Sequence, residues 1–139
     1  PKHLHDEVFI QKMLDSTEME FRENIILAHD HSTENGAEFF HFLQPHLFAD
    51  DRFTEYEKEL MENKYLMPKG VEESFVAGYP HLQEVTAELS KSLNSFDLTG
   101  ILDNHTEGDE YFLDSVHVNH TANRVIAENI FRNIKVTLY

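Results

Sequence analysis

Tyr111-Phe-Leu-Asp-Ser-Val-His-Val-Asn-His-Thr-Ala-Asn-Arg-Val-Ile-Ala-Glu-Asn-Ile-Phe131 places an Asp and a His three residues apart, immediately ahead of a helical pattern. Asp114 and His117 are the pair. Behind them Val125, Ile126, Asn129 and Ile130 recur at helical spacing. The layout is that of a loop carrying a charge pair into the start of a helix. A carboxylate that accepts a hydrogen bond from one ring nitrogen fixes the tautomer of a His. The other nitrogen is then free to take a proton from a nucleophile. The same residues also suit a plainer role, in which a carboxylate near a helix start braces the turn.

The segment resembles the last block of the SGNH (GDSL) hydrolases, where an Asp-x-x-His pair precedes the final helix and supplies two members of a Ser-His-Asp triad. Here the block reads Asp114-Ser115-Val116-His117, followed by Asn119 to Ala127 with Ala122 in place of the usual Gly. A second match is the run Phe40-His-Phe-Leu-Gln-Pro-His-Leu-Phe48, which is similar to a strand of that family ending in Leu-Gln-Pro. The resemblance covers roughly residues 17 to 134. It implies an α/β fold, part of a three-layer α/β/α sandwich with a parallel, flavodoxin-like sheet. It also implies His117 as general base and Asp114 as its orienting carboxylate. Gln44 and His46, at the end of the strand, would border the substrate site, because ligands approach the carboxyl ends of parallel strands, although His46 also suits a plain strand-to-loop turn. No cofactor and no metal are implied.

The family's nucleophilic half has no counterpart here. Ser16, Ser32, Ser74, Ser90, Ser92, Ser95 and Ser115 are the serines, and none stands in a Gly-Asp-Ser context. The oxyanion donors of the family also lie upstream of the Leu-Gln-Pro strand. The expected reading is therefore the C-terminal portion of one SGNH-like domain, residues 1–139. Its nucleophile would come from a missing N-terminal portion or a second chain. Two short apolar strands leave open sheet edges, so the chain alone is expected to be unfolded, aggregated or swapped with a copy. The start, Pro1-Lys2-His3, reads as that of a processed or truncated product.

Composition limits the partners. With 139 residues and 11 Phe there is material for one core. A net charge of −15 argues against binding nucleic acid or an anionic membrane surface. There is no apolar run long enough to span a membrane. Cysteine is absent, which excludes disulfides and thiol chemistry and leaves the compartment open. The expected partner is a small-molecule, glycan or lipid ester.

Working outward, Asp15 or Ser16 looks like an N-cap opening a helix over Ser16 to Thr33, ended by Gly36. Residues before it read as a short helix or an arm. Ala37 to Leu43 reads as a strand apolar on both faces. Asp50 to Tyr65 is helix-prone. Val71 to Leu93 is helical, with Gly78 and Pro80 predicting a kink or a break. Phe96 to Leu102 reads as a second strand and Asp103 to Glu110 as a loop. A helix over His120 to Asn133 and an extended tail at Val136 to Tyr139 complete the chain. Tyr56, Tyr65 and Tyr79 suit either a pocket or the core.

Two other functional classes compete. One is a His-rich metal protein, built on His29 with His31, His41 with His46, or His117 with His120; none has the i, i+4 helical spacing that shared ligands want. The other is a non-catalytic binding module that keeps a hydrolase-like half-fold. Asn104-His-Thr106 and Asn119-His-Thr121 match the glycosylation sequon, a pattern common by chance.

Overall fold

A computed structural model describes residues 2–49, 53–103, 108 and 110–138, with side chains of 2–6 excepted. The Asn104 sequon and most of the 103–110 loop lie outside the described residues. The elements are α1 (Lys2–Glu34), β1 (His41–Leu43), a 3-10 turn (Leu47–Ala49), α2 (Glu55–Glu62), α3 (Val71–Leu89), β2 (Ser95–Asp97) and α4 (His120–Leu138).

The expected three-layer α/β/α sandwich is not what forms. The described chain is mostly helical, with four α-helices and one sheet of two short parallel strands. His41 pairs with Ser95, Phe42 with Phe96 and Leu43 with Asp97. The strands stop early for local reasons. Pro45 cannot donate to a ladder. Asp97 Oδ1 accepts the Thr99 N–H at 2.8 Å and the Thr99 hydroxyl at 2.7 Å, which turns the chain out of β2. Residues 37–40 stay outside the ladder.

Helix α1 runs unbroken from Lys2, so neither Asp15 nor Ser16 is a cap. Both instead make side-chain bonds along the helix, Gln11 Nε2 to Asp15 at 2.8 Å and Ser16 Oγ to Glu20 at 3.1 Å. Its end is a Schellman turn: the Ala37 N–H reaches the Ser32 carbonyl and the Gly36 N–H the Thr33 carbonyl, with Gly36 at φ 75°. Helix α2 opens on a reciprocal capping box between Thr54 and Glu57. Helix α3 passes through Pro80 without interruption. Pro80 lies on the exposed side, where water can serve the carbonyl it leaves unbonded. Helix α4 continues through the expected tail to Leu138, since no Gly or Pro follows Asn119.

Two apolar clusters hold these pieces. Phe21 and Ile25 of α1 pack with Val85 and Leu89 of α3 and with Phe39 and Leu93. Arg22 to Glu88 at 2.6 Å and His81 to Glu18 at 3.2 Å flank that contact. The second cluster gathers Leu47, Leu60, Met67, Leu102, Phe112 and Ala122. Helix α4 enters it through its first turns only. Ala122 is buried and Val125 packs against the cluster, whereas Phe131 and Val136 are 67% and 79% exposed.

Candidate functional site

Tyr111 to Asn119 forms a small antiparallel loop. Phe112 bridges to Val118, the Asn119 N–H donates to the Tyr111 carbonyl at 2.9 Å, and the Leu113 N–H donates to the His117 carbonyl at 2.7 Å. Asp114 shapes the tip. Its Oδ1 accepts the backbone N–H groups of Val116 at 2.9 Å and His117 at 2.8 Å. That is a local side-chain-to-backbone turn, favoured by a short carboxylate two and three residues ahead of its donors. The bonds aim the remaining oxygen at the His117 ring, where Oδ2 lies 2.7 Å from Nδ1. The backbone of the turn therefore builds the pair.

The electrostatics follow from this geometry. Burial pushes the Asp114 carboxyl up. The His117 and Val116 N–H groups, the His117 ring and its charge outweigh that, and the acid ends below the usual carboxylate range. An ionised Asp114 favours a proton on Nδ1 and leaves Nε2 as the acceptor. The His117 side chain is 76% exposed and that of Asp114 25%. Among the described residues no hydroxyl bonds to His117 Nε2.

Immediately after the loop, Asn119 caps α4. Its Oδ1 accepts the N–H groups of Thr121 and Ala122, each at 3.0 Å, and its amide donates to the Glu110 carbonyl. The loop is also tied to the sheet: the Leu47 N–H, four residues past β1, donates to the Ser115 carbonyl at 3.0 Å. This brings His117 to the carboxyl ends of the two parallel strands.

A cleft of about 570 Å³ opens there. His117, Gln44 and Asn123 are its polar lining, and Phe42, Leu98 and Ile126 belong to its apolar wall. It is a concave, mainly apolar space with a few convergent polar groups. Asn123 was not singled out from the sequence, and the apolar positions of α4 were read there as a helical pattern, not as a cleft wall. The i, i+4 pair Ile126 and Ile130 was the available signal.

The structure brings Gln44 and His117 to one cleft and sets His46 apart. His46 is 5% exposed and packs at a tilt against Tyr79, 3.8 Å between ring centroids, and Phe75, 5.2 Å. Burial drives its pKa down to about 4, against a smaller opposing pull from Asp97. Tyr79 is bonded to Gln44, Tyr56 packs on the core, and Tyr65 is 97% exposed. His41 Nδ1 faces Ser95 Oγ at 2.8 Å between the strands, and His29 bonds to Asp30 at 3.0 Å. Among the described residues no three His, Asp or Glu side chains gather as a metal site. Among the described residues no helix is long and apolar enough to cross a membrane. Comparison with protein-family models, with curated proteins and with solved structures found no match for this chain.

Proposed function

We propose that Asp114 and His117 are the acid–base half of a serine ester hydrolase site. The observation that carries this reading is the 2.7 Å contact between His117 Nδ1 and Asp114 Oδ2 on the wall of an apolar cleft. In this reading the nucleophilic Ser and the oxyanion donors belong to polypeptide outside these 139 residues, in the N-terminal portion of the same domain or in a second chain. His117 Nε2 takes the Ser proton as the hydroxyl attacks the ester carbonyl. It then returns that proton to the departing alcohol. Asp114 holds the tautomer and stabilises the imidazolium. Gln44, which lines the same cleft, contacts the bound ester, and His46 lies behind, packed on Phe75 and Tyr79. The class of ester is small-molecule, glycan or lipid.

The test uses the complete polypeptide and a fluorophosphonate probe, with ester turnover measured alongside. Labelling of an upstream Ser is expected. His117→Ala should reduce turnover by about 100-fold or more, the usual scale of a general base. Turnover retained above about a hundredth of wild type contradicts the role of His117. Absence of any labelled Ser favours the non-catalytic binding module.

A further inference from the structure

The four residues Gln44 to Leu47 connect three places at once. Gln44 and Pro45 line the cleft, and the Tyr79 hydroxyl bonds to the Gln44 side chain. His46 is inserted beside Phe75 and Tyr79, and its Nδ1, buried, has no hydrogen-bond partner. The Leu47 N–H holds the Ser115 carbonyl inside the Asp114–His117 loop. A buried ring whose Nδ1 has no polar partner is held by its packing against Phe75 and Tyr79, and that packing suits the neutral form.

We propose that His46 is a positioning residue for the Asp114–His117 pair. The neutral ring seats the 44–47 segment, and uptake of a proton by that ring unseats it, slackening the Gln44 wall and the Ser115 tether together. Its consequence for catalysis rests on the hydrolase reading, while the coupled release does not.

The groups facing His46 decide the direction. From α3, Tyr79 is kept protonated by burial, which raises its pKa, so it brings no negative charge at neutral pH. From β2, Asp97 favours a charged imidazole, but its oxygens are engaged by Thr99 and by the Gln83 amide at 3.1 Å. From the 3-10 turn, Leu47 and Phe48 bring no charge. From the loop, Asp114 and His117 are bonded to each other. The faces of Phe75 and Tyr79 attract a cation, yet a charge with a buried unpartnered N–H costs more than such contacts return. Proton uptake therefore acts against the seated position.

Hydrogen exchange read by mass spectrometry tests this in the complete polypeptide, with labelling times scaled to the intrinsic rate at each pH. Peptides spanning 44–49 and 111–118 are followed from pH 7 to pH 4. Both should lose protection together in the wild type, by about tenfold, as a linked local opening. In His46→Phe, which keeps an aromatic ring and cannot titrate, neither should. His46→Gln repeats the measurement with a smaller, non-titrating side chain in case the Phe variant is misfolded. Loss in only one of the two peptides, or equal loss in the variants, overturns the proposal. Ester turnover by the complete polypeptide is a separate arm. If no ester is hydrolysed while the exchange result stands, the hydrolase reading fails and the coupling survives.

Discussion

His117 and His46 occupy neighbouring regions joined by one hydrogen bond, and they are opposite in design. The first is mostly exposed and paired at 2.7 Å with an ionised carboxylate. The second is buried among aromatic rings with its Nδ1 unbonded. The same imidazole thus has a carboxylate partner in one place and only aromatic neighbours in the other. The difference lies in the backbone around each ring. The Asp114 turn supplies an acceptor within three residues, whereas the His46 pocket is assembled from α3, some thirty residues away.

The largest effect should come from breaking the first of the two. Asp114→Asn keeps a side-chain oxygen for the Val116 and His117 N–H groups but removes the carboxylate facing Nδ1. It should preserve the fold by circular dichroism. If the proposed hydrolase reading holds, it should lower ester turnover in the complete polypeptide by about 10²–10⁴-fold, since the wrong tautomer disables the base. Turnover near wild type would assign Asp114 to turn bracing alone.

Acid tests the second. The folded-state pKa of His46 is about 4, below its ordinary value. Between about pH 6.5 and pH 4 the unfolded chain binds a proton that the folded chain does not, so stability falls as pH drops through that window and the loss levels off below it. The full difference is about 3 kcal/mol from a shift of that size. Carboxylate protonation changes the −15 charge over the same range, so the comparison is with His46→Phe. The wild-type Tm should drop more on acidification than that of the variant. Parallel curves would show that His46 is not held neutral. Asp114 acts in the same direction but lower: its stabilisation is lost as pH falls through its depressed carboxyl value.

The smallest effect sharpens the contrast without touching either ring. Asn119→Ala removes the cap of α4 and should cost about 1 kcal/mol in urea unfolding. An unchanged midpoint would show that the cap contributes nothing measurable.

What the chain revealed in advance follows range along the sequence. The Asp114–His117 contact was legible because the bonds that make it span two or three residues. Gly36 was legible as a helix stop for the same reason. Strand length was not. The Asp97–Thr99 turn ends β2 within two residues, so an apolar run to Leu102 overstated it. The reach of α1 was hidden because Asp15 and Ser16 bond along the helix as readily as they would cap it. The burial of His46 depended on Phe75 and Tyr79, which no local pattern tied to it. The cleft wall from α4 was half visible, as spacing without a partner.

Helix α4 is anchored by its first turns. A rod gripped at one end transmits little of what is done to the other. A dye, an affinity handle or a fused protein placed near Thr137 should therefore leave the imidazole and its carboxylate undisturbed, which makes that end the place from which to label or immobilise the protein.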